Sequence, residues 1–336
     1  MVARMTIKEI ARLSGVGVST VSRVLNKRPD VNEDTRGRVM EVIERYGYEP
    51  NSNAKHLKQL STDCVAVIVR GRNNLFFSGI LELLQKRIEA AGLRFLPHYI
   101  DENDDEAAAA LRVYAERKVR GIIFMGGCHT DNGAMLSRLP IPCVYSTVNA
   151  AEGHAPNVSS VSVDDRQGAK KAIDYLFDCG HENMVILSGE TQGCNMAHQR
   201  YLGVLDSFKE HGKTLESSRV LVSPFSFSCA YERIKEYTGP DYTAIFAMSD
   251  TMAIGAARAL MDSGKRVPED VSVIGYDGIE LAQYYHPALA TMRQPQQELA
   301  DRSVELLLES MDTDCAPKHI QLETELIQGA SVKHIS

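Results

Sequence analysis

A short predicted helix near the start of the chain carries polar side chains suited to contact with a large anionic partner. Ser19, Ser22 and Arg23 face outward from this helix, which spans residues 18–25. The opposite face of the helix is apolar and consists of Val21, Val24 and Leu25. An exposed arginine beside hydroxyl groups on one helix face favours binding to DNA.

The elements around this helix form a unit that would hold it in place. Thr6 and Glu9 have the spacing of a capping box, which predicts the start of a preceding helix. The turn Gly15-Val16-Gly17 ends that helix, and a third helix is predicted from about Glu33 to Tyr46. Two helices joined by a short turn and braced by a third make an all-α helix-turn-helix unit, whose second helix enters the DNA major groove. The alternative is a three-helix bundle without a DNA partner.

Charge is distributed unevenly along the chain. The net charge is −7 over 336 residues, but residues 1–60 carry 11 Lys and Arg against 7 Asp and Glu, a balance of +4. The remainder carries 26 against 37, a balance of −11. A basic head on an acidic body is expected when only one end of a protein meets phosphates.

From Cys64 onward the pattern changes to alternating strands and helices. The predicted strands are short and apolar and span residues 64–69, 121–125, 142–145, 184–187, 244–247 and 271–274. The predicted helices span about 77–91, 104–117, 166–179, 197–211, 229–237, 250–263 and 295–311. Such repeats predict parallel sheets covered on both faces. Because the units are too many for one sheet, we expect two Rossmann-like lobes that hold a ligand at the carboxyl ends of their strands.

A polar linker, residues 51–62, connects the head to the body. Lys55 and Lys58 would face phosphates, whereas Leu57 has no obvious apolar partner within the chain. A leucine inserted between base steps in the minor groove would explain this residue. The alternative is a flexible linker with an incidental leucine.

Several classes of protein are excluded by what the sequence lacks. No apolar run reaches the roughly 20 residues that a membrane helix requires. The first ten residues turn polar and helical at once, so we expect no signal peptide and a cytoplasmic protein, which also excludes an extracytoplasmic sugar-binding protein. The seven cysteines are scattered and never spaced as C-x-x-C, which indicates reduced thiols and no zinc site.

The main rival class is an enzyme on a nucleotide-binding scaffold. Gly15-Val16-Gly17 lacks both the preceding strand and the third glycine of a dinucleotide fingerprint. Gly212-Lys213-Thr214 lacks the earlier glycine of a phosphate loop, because Ser207 stands there. No H-E-x-x-H or G-x-S-x-G motif is present. We therefore predict no catalytic site, no cofactor and no metal.

Several longer motifs occur together in this chain. In the head they are Thr6-Ile7-Lys8-Glu9-Ile10-Ala11, residues 15–26 from Gly15 to Asn26, Tyr46-Gly47-Tyr48-Glu49-Pro50-Asn51 and Asn53-Ala54-Lys55-His56-Leu57. In the body they include Asn74-Leu75-Phe76-Phe77, Gly180-His181, and residues 163–168, 200–203, 249–256 and 267–277. On these motifs the whole chain resembles the lactose/galactose repressor family of bacterial transcription regulators.

The resemblance implies a homodimer on a near-palindromic operator, with one reading helix in each half-site. It implies that Val18, Ser19 and Arg23 contact base edges, Arg23 at a guanine, while Thr20 and Ser22 contact phosphates. The other DNA-contact residues that it implies are Thr6, Asn26, Asn53, Ala54, Lys55, Leu57 and Lys58. Two residues depart from the family pattern: Gly17 replaces the usual Ser or Thr cap, and Lys55 replaces the usual Arg.

The resemblance also implies a periplasmic-binding-protein-like sensor whose effector lies between the two lobes. The residues implicated by position are Asn74, Phe76, Phe77, Ser146, Arg200, Phe225, Ser249 and Asp277. Arg200 and Asp277 would grip adjacent hydroxyl groups, and the phenylalanines would offer apolar faces. The alternatives are core packing for Phe76 and Phe77, a helix cap for Asp277, and a salt bridge within its own lobe for Arg200.

Ser146 departs from the family pattern, because relatives commonly carry an acidic residue there. We therefore do not assign the effector of any particular relative to this chain. A sugar or sugar derivative remains the expected effector, in preference to a purine.

The predicted domains are residues 1–50 for the DNA-binding head, 51–62 for the hinge, and 63–336 for effector binding and dimerisation. The N-lobe is expected over about 63–162 and 292–321, and the C-lobe over about 163–291 and 322–336. The last residues show no leucine heptad of the tetramer-forming kind, so we expect a dimeric repressor.

Overall fold

The computed structural model describes residues 6–25, 31–46, 63–71, 74–101, 104–127, 133–150, 155–193, 195–313 and 315–335. The chain divides into two compact units, Met1–Ser61 and Thr62–Ser336. We call the first unit the head and the second the body, and we describe each by itself.

The described part of the head contains three helices, α1 (Ile7–Ser14), α2 (Val18–Leu25) and α3 (Glu33–Tyr46). The capping box forms as predicted, because the backbone N–H of Glu9 donates to Thr6 Oγ1 at 3.4 Å and the backbone N–H of Thr6 donates to Glu9 Oε2 at 2.7 Å. Gly15 ends α1 with φ of 67°, a left-handed conformation that glycine adopts without strain.

A small apolar core holds the three helices of the head together. Its buried members come from all three helices and are Ile10, Ala11, Val21, Val24 and Val39. Fully burying one aliphatic side chain contributes about 1.5–3 kcal/mol. The packing of Val21 and Val24 against this core therefore fixes which face of α2 remains outside.

The N-lobe of the body is built on a six-stranded, fully parallel sheet with the strand order β11-β5-β4-β3-β1-β2. Its elements up to the first crossing are β1 (Cys64–Arg70), α4 (Leu75–Ala90), β2 (Arg94–Ile100), α5 (Glu106–Arg117), β3 (Gly121–Met125), α6 (Gly133–Leu136), β4 (Cys143–Ser146) and β5 (Val158–Val163). The central strands are buried on both faces, as expected for a sheet between two layers of helices.

The C-lobe repeats this plan with the strand order β12-β10-β9-β8-β6-β7, in which only β12 is antiparallel to its neighbour. Its elements are α7 (Asp165–Asp178), β6 (Met184–Ser188), α8 (Met196–Glu210), β7 (Val220–Val222), α9 (Phe227–Lys235), β8 (Ala244–Ala247), α10 (Asp250–Asp262), β9 (Ser272–Asp277), α11 (Glu280–Tyr284), β10 (Ala290–Arg293) and β12 (Glu325–Ile327). The chain returns to the N-lobe through α12 (Gln296–Asp312) and β11 (His319–Leu322).

The chain therefore passes between the lobes three times, after β5, after β10 and after β11. The first five strands of each lobe have the order 2-1-3-4-5 of a doubly wound fold, which places a ligand at the carboxyl ends of the strands. The predicted fold class, a helix-turn-helix head and a two-lobed α/β body, is confirmed. Within the described residues, no helix is both long and apolar enough to cross a membrane.

Candidate DNA-reading helix and effector site

Helix α2 presents the predicted DNA-reading side chains to solvent. Val18 is 42 % exposed, and Ser19 and Arg23 are also outside the core of the head. Thr20 is half-buried at the side of the helix. Val18 thus keeps an apolar surface outside the core at the start of α2.

The first turn of α2 begins at a glycine rather than at a hydroxyl cap. The carbonyl oxygen of Gly17 accepts hydrogen bonds from the backbone N–H groups of Thr20 at 2.9 Å and Val21 at 3.1 Å. Glycine at this position costs only a few tenths of a kcal/mol relative to serine. The departure from the family pattern at Gly17 is therefore compatible with a stable α2.

The other predicted DNA contacts lie either elsewhere on α1 and α2 or outside the described residues. The Thr6 hydroxyl lies in the capping box and donates to Glu9 Oε2 at 2.8 Å, so it already has a structural role at the start of α1. Ser22 lies on α2 and is half-buried. The remaining predicted contacts lie outside the described residues; these are Asn26, Asn53, Ala54, Lys55, Leu57 and Lys58.

The centre of the candidate effector site is Arg200 on α8, which is 1 % exposed. Its Nε donates to Asp165 Oδ1 at 2.7 Å, and its Nη1 lies 3.4 Å from Asp277 Oδ1. Nη1 also donates to the backbone carbonyl of Met248, and the guanidinium carbon lies 3.7 Å from the centre of the Tyr276 ring. One buried cation is thus held by two carboxylates, a carbonyl and an aromatic face, which are the groups that can compensate for the loss of hydration.

The position of Asp277 follows from an unusual backbone conformation. Asp277 is the last residue of β9 and has φ of 107°, outside the regions that non-glycine residues normally adopt. Its Oδ1 accepts a hydrogen bond from Gln294 Nε2 at 2.8 Å. The alternative role as a helix cap is not observed, because the N-cap of the next helix is Ile279. A strained residue that joins a buried cluster is typical of a functional position.

Asp250, the first residue of α10, supports the turn that carries Asp277. It is fully buried, and its Oδ2 accepts a hydrogen bond from the backbone N–H of Ile279 at 2.8 Å. Burial and, secondly, the nearby Asp277 carboxylate raise the pKa of Asp250 well above its ordinary value. Asp250 therefore acts as a positioning residue for the turn after β9.

Burial also governs the charges of the cluster itself. It raises the pKa of Asp277 to about 6, although Arg200 and Gln294 favour the ionised form. It also raises the pKa of Asp165, against the attraction of Arg200. The pKa of Arg200 is raised, because the two carboxylates outweigh the cost of burying its charge. The cluster thus holds a permanent cation beside a carboxylate that titrates near pH 6.

The predicted N-lobe residues are used mainly for structure. Asn74 is the N-cap of α4, and its Oδ1 accepts hydrogen bonds from the backbone N–H groups of Phe76 at 3.0 Å and Phe77 at 3.2 Å. Both rings belong to the apolar core and are 3 % and 5 % exposed. Phe76 and Phe77 therefore pack in the apolar core, which is the alternative to contact with the effector. Ser146 is fully buried at the end of β4, and within the described residues its Oγ has no hydrogen-bond partner.

The remaining two predicted residues lie in the C-lobe. Ser249 is 3 % exposed and caps α10, where its Oγ accepts a hydrogen bond from the backbone N–H of Met252 at 3.2 Å. Phe225 is half-buried and packs against two apolar clusters, one within the C-lobe and one that contains residues of both lobes. Of the eight predicted effector residues, only Arg200 and Asp277 are brought together in one polar cluster.

Sequence reasoning missed three members of this cluster. Asp165 follows Asp164, which caps α7, and it lies in the family motif at 163–168, but the motif gave no reason to place it in the site. Tyr276 and Gln294 come close to the cluster through the strand register, because β9 and β10 run parallel and end at the same edge of the sheet. No local pattern indicates that these side chains would meet Arg200 or Asp277.

A second buried carboxylate was also missed, in the N-lobe. This carboxylate is Glu106, the first residue of α5, which is 1 % exposed. Its Oε1 accepts a hydrogen bond from the Tyr145 hydroxyl at 2.6 Å, and its Oε2 accepts one from Arg70 Nη2 at 3.0 Å. Arg70 ends β1 and Tyr145 lies near the end of β4, so this group also lies at the carboxyl ends of strands. Each lobe thus places an arginine–carboxylate pair at the edge where a doubly wound sheet binds its ligand.

A helix-turn-helix head and a two-lobed body with buried polar clusters at its strand ends define the class of this protein. It is a DNA-binding regulator that carries a small-molecule sensor.

Comparisons with known proteins identify the family. Residues 6–51 match the family of bacterial regulatory proteins named after lacI, and residues 173–332 match a periplasmic binding protein-like domain. The chain is 35 % identical over 339 residues to the HTH-type transcriptional regulator MalR of Clostridium butyricum, covering 98 % of this chain and 100 % of the relative. It is 32 % identical over 339 residues to the HTH-type transcriptional repressor PurR of Vibrio vulnificus, covering 98 % and 99 %.

A solved structure of the transcriptional regulator CelR in complex with cellobiose has a similar fold, with a TM-score of 0.72 and 28 % identity over 98 % of this chain and 100 % of that chain. The chain belongs to the lacI family of bacterial regulatory proteins, as its motifs predict. Its relatives are regulators of transcription and not enzymes, and this chain is a DNA-binding transcription regulator.

Proposed function

We propose that this protein is a repressor whose affinity for operator DNA is set by a sugar or sugar derivative bound at the Arg200 cluster. The observation that carries the proposal is the burial of Arg200, Asp165 and Asp277 together at the carboxyl ends of the C-lobe strands. The cellobiose in the related CelR complex supports an effector of this class.

The cluster has the chemistry that a polyol requires. Among the described residues, the contacts of the Asp277 side chain go to Oδ1, and we assign Oδ2 to an effector hydroxyl. A guanidinium donates and a carboxylate accepts, so together they bind two adjacent hydroxyl groups with charge-assisted hydrogen bonds. A planar purine offers fewer such groups, and it fits this pair of side chains less well.

The DNA contacts complete the proposal. Val18, Ser19 and Arg23 read base edges from the major groove, and Thr20 and Ser22 contact phosphates. The linker at 51–62 joins a DNA-binding head at 1–50 to an effector-binding and dimerisation domain at 63–336. The protein acts as a homodimer on a near-palindromic operator in the cytoplasm, where that DNA lies.

The effector controls DNA binding by favouring one arrangement of the two lobes. Three crossings connect the lobes, and in each lobe an arginine pairs with a buried carboxylate at the strand ends. A ligand that contacts both edges binds one lobe arrangement more tightly than the other, and only this difference in affinity shifts the equilibrium.

A thermal-shift screen of sugars, sugar phosphates and purines tests the proposal with the full chain. A sugar present at about 100 times its Kd stabilises the native state by about 2.7 kcal/mol. We expect Asp277→Asn to abolish that stabilisation and Asp206→Asn to retain it, because Asp206 pairs with Arg166 on the surface of the same lobe. Stabilisation by purines alone, or an unchanged sugar response in Asp277→Asn, would contradict the proposal.

A further inference from the structure

The strand starts of the N-lobe bring several basic residues to the point where the chain enters the body. The backbone N–H of Arg94 donates to the carbonyl of Asp63 at 2.9 Å, and that of Arg120 donates to the carbonyl of Cys64 at 2.8 Å. Because β1 lies between β2 and β3, Arg94 and Arg120 flank the entering chain on its two sides.

Two further cations from the end of α5 join this edge. Arg117 is the last residue of α5, and Lys118 follows it in a left-handed conformation with φ of 53°. Both side chains are exposed, as are those of Arg94 and Arg120. Burial raises the pKa of the Cys64 thiol at the start of β1, and the positive charges of Arg94 and Arg117 oppose this shift. We call Arg94, Arg117, Lys118 and Arg120 the basic edge.

Two acidic residues lie beside three of these cations. Arg120 Nη1 lies 3.5 Å from Asp63 Oδ1, a pair in which both side chains are exposed, and Glu116 is at the same end of α5. Arg117, Lys118 and Arg120 outnumber these two carboxylates, which leaves a local excess of positive charge in a part of the chain whose overall charge is −11. Such a local reversal of charge attracts an anionic partner.

The length of the chain limits how far this partner can be from the basic edge. Asp63 follows Leu57 by six residues, and an extended chain spans at most about 3.5 Å per residue, or roughly 20 Å. If the linker contacts the minor groove, DNA phosphates come within about 20 Å of the point at Asp63 where the chain enters the body. In this respect the inference rests on the proposed function.

We infer that the basic edge binds backbone phosphates of the same operator that the head reads. Its four side chains end in guanidinium or ammonium groups, which donate to phosphate oxygens without reading base sequence. The body therefore adds a sequence-independent share of operator affinity, beyond the contacts of the head and the linker.

The test compares two variants in which the same number of positive charges is removed. The first, Arg117→Gln with Lys118→Asn and Arg120→Gln, removes three cations from the basic edge. The control, Lys209→Gln with Lys213→Gln and Lys235→Gln, removes three exposed lysines of the C-lobe. The probe is an operator duplex selected from a random pool with the full-length wild-type chain, and affinity is measured across a range of salt concentrations.

The salt dependence of operator binding should differ between the two variants. In the basic-edge variant, we expect the slope of log affinity against log salt to become shallower by about one for each phosphate that is no longer bound. In the control the slope should stay unchanged. Phosphate-ethylation interference should show a small set of phosphates that matter for the wild type and not for the basic-edge variant. An unchanged slope, or a changed slope with an unchanged interference pattern, overturns the inference.

The same probe separates this inference from the proposed DNA-reading helix. Arg23→Ala should lose discrimination between the selected operator and random DNA, whereas the basic-edge variant should weaken binding to both duplexes by the same factor. If Arg23→Ala keeps its discrimination, the proposed function fails, and the slope and interference results still decide the role of the basic edge.

Discussion

Arg200 Nε donates to Asp165 Oδ1 at 2.7 Å, and both side chains are almost fully buried between α8 and α7. Burying an ion pair costs several kcal/mol per ion in hydration, and apolar residues of similar size are often as stable. Stability is therefore a poor reason for this pair to be buried. A cation held ready at the strand ends is better explained by ligand binding.

Removing one partner of this pair should be far more costly than removing an exposed pair. We expect Asp165→Ala to lower the free energy of unfolding by about 3–5 kcal/mol, because Arg200 would remain buried without its main counter-ion. The control is Asp206→Ala, whose partner Arg166 is exposed, with an expected loss below about 1 kcal/mol. Urea unfolding of both variants tests this expectation, and equal losses would argue against a buried charge at Arg200.

The raised pKa of Asp277 predicts a specific dependence of stability on pH. The folded-state pKa of about 6 lies above the ordinary 3.8, so ionising Asp277 is harder in the folded state. The titration of Asp277 should therefore lower the free energy of unfolding by roughly 3 kcal/mol as pH rises from about 4 to about 6. Above about pH 6 this contribution should stay constant. Asp277→Asn removes this titration, so the difference between wild type and variant should follow this curve. A difference that is constant with pH would contradict it.

His181 predicts the opposite dependence. It is fully buried; its Nδ1 lies 2.9 Å from Thr243 Oγ1 and its Nε2 lies 3.0 Å from the carbonyl of Lys333. Burial lowers the pKa of His181 below its ordinary value of 6.5. The stability that the neutral ring provides is therefore fully present above pH 6.5, and it is lost as the pH falls below 6.5 towards the pKa of the folded state. We expect a lower Tm at about pH 5.5 than at about pH 7.5, and a smaller change in His181→Asn. His286→Asn, an exposed control, should behave like the wild type.

Arg23 should matter for sequence recognition and not for folding. It lies on α2 and is not part of the apolar core of the head. We expect Arg23→Ala to weaken binding to the selected operator by about 1–3 kcal/mol and to relax specificity at one base pair of each half-site. Arg12→Ala removes an exposed arginine of α1 as the matched control. Equal losses in both variants, measured by fluorescence anisotropy, would argue against a reading role for Arg23.

The fold was predictable because its strands and helices carry strong local signals. Buried parallel strands appear as short apolar runs, and the helices between them have a regular apolar spacing. The strand β2 escaped prediction because Pro97 interrupts it, which is tolerated since β2 lies at the edge of the sheet. Strand β5 has the sequence Val-Ser-Ser-Val-Ser-Val, and its serines hide a strand that is fully buried.

The candidate effector site was less predictable, because it depends on contacts between distant parts of the chain. Arg200 and Asp277 were identified by family position, but Arg200 lies 35 residues from Asp165 and 77 residues from Asp277 in the sequence. No local pattern indicates that Asp165 would be the main partner of Arg200. The same lack of local information explains why Phe76 and Phe77, which pack in the core, were predicted to contact the effector.

The response of operator binding to the effector tests the central claim most directly. A labelled operator is titrated with wild type and Asp277→Asn, each with and without the sugar that stabilises the wild type. We predict that the sugar changes the operator Kd of the wild type at least about tenfold, a coupling of roughly 1.4 kcal/mol, and leaves that of Asp277→Asn unchanged. Without sugar, both proteins should bind the operator equally. A sugar response of equal size in Asp277→Asn would contradict the account.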